Sequence, residues 1–201
     1  MTRLVLASGS PRRREVLAAL GLDFDIRPPV LEETLLPGES PESAVCRLAR
    51  DKAAAVTAAP EEMVLAADTL VVHAGELLGK PADPAEAVEM LMRLAGTSHV
   101  VFTGLALRTG RRSVSAAART EVTFRRFERS ECEAYVATGE PLDKAGAYGI
   151  QGFGAALVDR IDGDYFNVMG LPVPTLLELL AAAGFRYDYG RIVRDPPHES
   201  T

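Results

Sequence analysis

A short apolar run, Leu4-Val5-Leu6-Ala7, is followed by Ser8-Gly9-Ser10-Pro11-Arg12-Arg13-Arg14. That order predicts a strand leaving a sheet and a helix beginning. Ser10 is expected as N-cap and Pro11 at the first helical position, where a missing N–H costs nothing. Three arginines then occupy the first turn, at the positive end of the helix dipole, which disfavours them. A bound polyanion would reverse the balance, because free backbone N–H groups and guanidinium forks both suit phosphate. The competing reading has the cluster splayed into water, and three consecutive helical positions cannot all face one way.

Other residues could join that chemistry. Asp68 follows the apolar run Met63 to Ala67, and the pattern predicts it at a strand end, where α/β sheets place ligand groups. A carboxylate beside an apolar region suits a general base or a metal ligand, against the plainer reading of an Asx-turn. Lys80 stands between Gly79 and Pro81, so a tight turn could aim it at a phosphate. Glu33 lies in an acidic loop and reads as solvated. Lys52 lies on a helix, where it could pair with a carboxylate at helical spacing.

Ala145-Gly146-Ala147-Tyr148-Gly149-Ile150-Gln151-Gly152-Phe153-Gly154 permits close backbone approach, but its spacing matches neither the dinucleotide fingerprint nor a Walker A loop. Gln151, with both donor and acceptor, could read a base edge. Asn167 could be a cap or a ligand contact. His73, His99 and His198 are scattered, so neither a histidine metal cluster nor a Ser-His-Asp signature is supported. Cations plus a few carboxylates fit phosphoryl or nucleotidyl transfer to water, assisted by Mg²⁺ on one or two carboxylates and the substrate phosphates.

A net charge of −6 argues against a nucleic-acid groove, which needs a basic face, and favours a small anionic ligand at a local cationic spot. Cys46 and Cys132 lie far apart, without metal or disulfide spacing. No signal segment or membrane-length apolar stretch is read, so a cytoplasmic home without a membrane partner is expected.

The elements that must position these residues alternate. Helices are expected at Pro11 to Leu20, closed by Gly21, and from Ser40 to about Ala58. Further helices are expected from the capping box at Asp83 to Leu94, over Ser130 to Thr138, and over Pro172 to Ala183. Strands are expected at Asp23 to Arg27, in a hairpin turning at Ala74-Gly75, at His99 to Arg108, at Ser113 to Phe127, and at Ala155 to Ile161. The class is α/β with a hairpin-rich middle. Residues 1–190 form one domain, the helix at 130–138 and its flanking strands suggesting a second lobe, and residues 191–201 a flexible C-terminal tail.

Taken together, Leu6-Ala7-Ser8-Gly9-Ser10-Pro11-Arg12-Arg13-Arg14-Glu15-Val16-Leu17 resembles the signature of the Maf family of nucleoside triphosphate pyrophosphatases. Ala67-Asp68-Thr69, Gly79-Lys80-Pro81, Gly146 to Gly152 and Asn167 to Pro172 are similar to its later motifs, in order, over roughly residues 3–185. The resemblance implies a mixed twisted sheet flanked by helices, elongated, with a cleft between two lobes (Maf/ITPase-like), and a homodimer. It implies hydrolysis of a nucleoside triphosphate to monophosphate and pyrophosphate with a divalent metal, Mg²⁺ or Mn²⁺. Under it, Asp68 matches the catalytic base. Ser8, Arg13, Lys52 and Lys80 match substrate-binding positions, and Glu33 with Asp68 the metal site.

Arg12, Thr69 and Gln151 match positions separating a dTTP/UTP subfamily from one acting on 7-methyl-GTP, which tends to carry tryptophan and glutamate at the first and last. This chain is therefore similar to the dTTP/UTP type, with a role in clearing non-standard pyrimidine nucleotides also implied. Glu32 departs from the aspartate common before Glu33. Two alternatives stay open: a nucleotide-binding regulator of cell division (septum formation) that senses triphosphates without turnover, and a nucleotidyltransferase.

Overall fold

The computed structural model describes residues 3–195, and its centre is a seven-stranded mixed sheet. Strand β1 (Arg3–Ala7) carries the first apolar run and lies parallel to both β2 (Phe24–Ile26) and β3 (Glu62–His73). Beyond β3, the long strands β5 (Ser98–Thr109) and β6 (Arg112–Phe124) pair antiparallel, and β7 (Val158–Asp162) closes that edge. The short β4 (Glu76–Leu78) returns along β3 through a turn at Ala74 and Gly75, both with positive φ.

Here the structure corrects one expectation. Asp68 does not end a strand; it lies in the middle of β3, paired with Gly104 of β5. The β-branched Val71 and Val72 continue the strand past the polar Asp68-Thr69 pair, which on sequence grounds resembles a turn. What does end is the neighbour. Strand β1 pairs with β3 only as far as Ala66, and β4 begins pairing at Val71. Residues 67–70 therefore face an opening in the sheet between β1 and β4, at the carboxyl end of β1.

Period-two alternation along β3 sends its side chains to two cores. Val64 and Ala66 join Val5, Ala7 and Ala106 beneath Ala49, Ala53 and Val56, carried by helix α2 (Pro41–Ala55) and the residue that follows it. Met63, Leu65 and Ala67 join the larger core on the other face. That core includes Leu17 of α1 (Pro11–Ala19), Leu91 of α3 (Pro84–Leu94), Cys132 of α4 (Arg129–Ala137) and Leu180 of α6 (Val173–Ala182). Helix α2 sits unusually close to the sheet, since a Cβ on Gly104 would fall 2.4 Å from the backbone of Val45. Only glycine permits that approach.

Three further elements differ from expectation. Residues 152–157 form 3-10 turns, so β7 starts only at Val158. Tyr165–Met169 is a short helix, α5, capped by Asp164, where the sequence shows only a lead-in. From Arg191, the stretch set apart as a tail includes β9 (Ile192–Arg194), which pairs with β8 (Phe185–Tyr187); residues 196–201, and His198 with them, lie outside the described part. No helix among the described residues is long and apolar enough to cross a membrane.

Candidate active site

The opening in the sheet is the floor of a cavity of about 430 Å³. Ser8, Arg12, Arg13, Glu33, Lys52, Asp68, Thr69 and Lys80 all line it, so eight of the nine residues that the family resemblance assigns to the site lie together. Gln151 does not line it, although its neighbours Gly149 and Ile150 do. Arg14 also stays out, as expected for one member of the cluster.

Asp68 and Thr69, adjacent on β3, project to opposite faces, and each recruits a cation from the helix on its own side. On the α2 face, Lys52 Nζ donates to Asp68 Oδ1 at 2.6 Å and lies 2.9 Å from Glu33 Oε1. Lys52 and Asp68 are only 7% and 4% exposed. The lysine does not pair along its own helix, as its spacing suggested, because it occupies the apolar stripe of α2 after Val45, Leu48 and Ala49. A charge on that stripe was the overlooked signal. Burial pushes the Asp68 carboxyl above the ordinary range, while the Lys52 ammonium and, less strongly, Arg13 pull it back. A carboxylate with that balance is a better proton acceptor than an exposed one.

On the other face, the Arg13 guanidinium is held by three acceptors from separate elements: Gly170 O at 2.9 Å, Ser8 Oγ at 3.0 Å and Thr69 Oγ1 at 3.1 Å. Burial lowers its pKa to about 10, with Asp68 opposing, so it remains a cation at neutral pH. Two of its five N–H groups are left over. Behind Thr69, Thr103 shares a hydrogen bond at 3.0 Å and donates to Asn167 O. Asn167 itself is fully buried and donates to Val101 O and Thr120 Oγ1, so it is neither cap nor ligand contact but a brace. Ser10 has the extended N-cap conformation, yet its side chain makes no cap; its N–H donates instead to Ser8 Oγ, at 3.2 Å.

The rest of the wall is different chemistry. Val71, Val101, Tyr148, Ile150, Val168 and Met169 give it an apolar side. Tyr148 turns its hydroxyl away to His99 Nε2, at 2.8 Å, leaving ring surface toward the cavity. Burial lowers His99 to about 4, so it is neutral. The cavity is thus amphipathic, with cations and carboxylates at one side and ring and aliphatic surface at the other.

No cluster of three or more histidine, cysteine or acidic residues suited to a metal occurs among the described residues. The carboxylates of Asp68 and Glu33 nevertheless converge on one point, which the Lys52 ammonium occupies. Two converging carboxylates fit Mg²⁺, which takes its remaining ligands from substrate phosphates and water.

The comparisons with known proteins agree over nearly the whole chain. A dTTP/UTP pyrophosphatase of Moorella thermoacetica is 54% identical over 187 residues, 92% of this chain and 96% of that protein. Proteins of the same name from Anaeromyxobacter dehalogenans and Geobacter sulfurreducens are 52% and 50% identical, covering 91% and 90% of this chain and 95% and 97% of theirs. Among solved structures, a HAM1 protein from Coxiella burnetii aligns over 79% of this chain and 81% of that one, at 20% identity and a TM-score of 0.45. The family model described as Maf-like protein matches residues 3–183, spanning every residue of the cavity. The chain belongs to the Maf-like protein family.

Proposed function

We propose that the protein is a nucleoside triphosphate pyrophosphatase that hydrolyses dTTP and UTP to the nucleoside monophosphate and pyrophosphate. The observation that carries this reading is one cavity holding a buried carboxylate together with cations from three chain segments, Arg12 and Arg13, Lys52, and Lys80. It occurs in a chain 54% identical to a protein named dTTP/UTP pyrophosphatase.

The geometry supports the following roles. Water attacks the α-phosphorus and the bond to the bridging oxygen of pyrophosphate breaks. Asp68 takes the proton that water gives up. Lys52, fixed 2.6 Å away, keeps that carboxylate ionised between turnovers. Arg13, already oriented by three acceptors, offers its two remaining N–H groups to the triphosphate, and Lys80, which also lines the cavity, brings a further cation. Cations fixed before the reaction need no reorganisation as charge moves onto the leaving group. Glu33 and Asp68 are the residues that would hold a Mg²⁺ or Mn²⁺ ion, which would supply charge neutralisation and polarisation of the phosphoryl oxygens. Arg12, Thr69 and Gln151 are assigned to base selection. The apolar side of the cavity suits the base, and Gln151 can complement the imide edge of uracil or thymine. A cytoplasmic homodimer belongs to the same reading.

The test is Asp68→Asn, assayed for pyrophosphate release from dTTP, UTP, CTP and GTP with Mg²⁺. Wild type is expected to favour dTTP and UTP, and the variant to lose about a hundredfold or more in kcat. Retained activity would remove Asp68 as the base. Tight binding by wild type without product would favour a triphosphate sensor instead.

A further inference from the structure

The glycine-rich segment after α4 has a spacing that fits no phosphate loop, and the structure supplies another reason for it. Its backbone closes on an internal carboxylate. Glu140 Oε1 accepts from Tyr135 O–H at 2.8 Å and from Gly154 N–H at 3.0 Å, while Oε2 accepts from Phe153 N–H at 2.9 Å. The Tyr135 hydroxyl in turn accepts from Gly149 N–H at 3.0 Å. Glycines stand where side chains would collide with this cluster. A Cβ on Gly152 would lie 2.5 Å from Glu140 Oε2, and one on Gly154 would lie 2.1 Å from Gly149 O and 2.6 Å from the Tyr135 hydroxyl. The amides that a phosphate loop would offer to a ligand are spent here on Glu140 and Tyr135.

Between the two clamped ends the chain runs through Ile150 and Gln151. Tyr148, Gly149 and Ile150 line the apolar side of the cavity. A further bond, Gly146 N–H to Gly79 O at 3.0 Å, ties the same segment to the turn that carries Lys80. Glu140 and Tyr135 do not themselves line the cavity.

We propose that Glu140, acting with Tyr135, is the positioning residue for nucleobase selection: its carboxylate fixes the 149–154 backbone and so sets the cavity-lining Gly149 and Ile150 against the base. This deepens the pyrophosphatase reading and rests on it. A residue acting this way governs how well the correct base is held, so its loss falls on KM and on the ratio between bases. Replacing the carboxylate by an amide leaves Oε1 able to accept but turns an N–H₂ toward a backbone donor, an unpaired contact in a half-buried site.

The experiment compares wild type, Glu140→Gln and Tyr135→Phe, the last removing the acceptor for Gly149 and one of the donors to Glu140 while leaving the carboxylate bonds to Phe153 and Gly154 in place. Kinetics are measured with dTTP, UTP and GTP, and amide hydrogen exchange is followed over residues 145–154. Expected for Glu140→Gln is a rise in KM for dTTP of about tenfold or more with kcat within about threefold. The dTTP-to-GTP ratio of kcat/KM should fall by about tenfold, and Phe153 and Gly154 should exchange faster. Tyr135→Phe should move the same quantities in the same direction by less. Faster exchange with unchanged KM and base preference would overturn the proposal, as would a fall in kcat alone. Failure of both variants to fold would assign the cluster a purely structural role and overturn it too. A wild-type protein that hydrolyses no triphosphate would remove the pyrophosphatase reading, and the proposal with it; inert variants of an active wild type would leave that reading standing and remove the proposal alone.

Discussion

At the scale of single residues, the ionisation of Asp68 is set by competition between burial and Lys52. Burial raises the carboxyl and the ammonium lowers it. Removing the ammonium in Lys52→Met leaves burial opposed only by the weaker pull of Arg13, so the folded-state pKa of Asp68 must rise further. If Asp68 acts as base, the acid limb of kcat/KM moves to higher pH by about one to three units, as expected for loss of a contact ion pair. A pH–rate profile for dTTP checks it; an unmoved limb would place the titrating group elsewhere. This pair also marks what the sequence could tell. Asp68, Arg13 and Lys80 stood out because each was anomalous in its local pattern. Lys52 was equally anomalous, a charge on the apolar stripe of α2, but its partners come from 16 and 19 positions away in the chain, and no local spacing names them. Glu140 was silent because a carboxylate in a turn looks solvated until the glycines fold over it.

Among the elements, helices were the most legible, since Pro11, Pro41, Pro84 and the capping serine and aspartate residues mark their starts in the sequence itself. Strand β3 was not, because a polar Asp-Thr pair inside a strand is indistinguishable from a turn until β5 is placed beside it. Gly104 is where that pairing meets α2. Gly104→Ala puts a methyl 2.4 Å from the Val45 backbone, which no side-chain rotation relieves, so α2 must lift from the sheet. The expected cost is about 1–3 kcal/mol of stability or more, read as a lower urea midpoint. Because Lys52 rides on the same helix, kcat should fall as well; full activity at unchanged stability would contradict the packing described.

For the molecule as a whole, sensitivity to acid has an identifiable source. Glu62, at the start of β3, receives Arg27 through two bonds of 2.6 and 2.7 Å, and Ala59 N–H at 2.7 Å. These hold its carboxyl down to about 2, the Arg27 bonds contributing most. A folded-state value below the unfolded one gives stability that is whole above about pH 4.3. It is lost as pH falls through the folded value near 2. Urea midpoints followed through that interval should decline in wild type and show a shallower decline in Glu62→Gln. Identical slopes would place the acid-sensitive contact elsewhere.

The uninterrupted run of β3 past the cavity has a mechanical consequence. From Met63 to Val72 every residue is matched in register on β5, so the back of the chamber is a stiff lattice with no joint in it. Swinging one half against the other would mean tearing that lattice at Asp68 itself. Any give in the wall therefore falls to segments outside that ladder, such as residues 28–40, which supply Pro28, Pro29 and Glu33 to the cavity and are tied down by Arg47 on Thr34 O and Glu39.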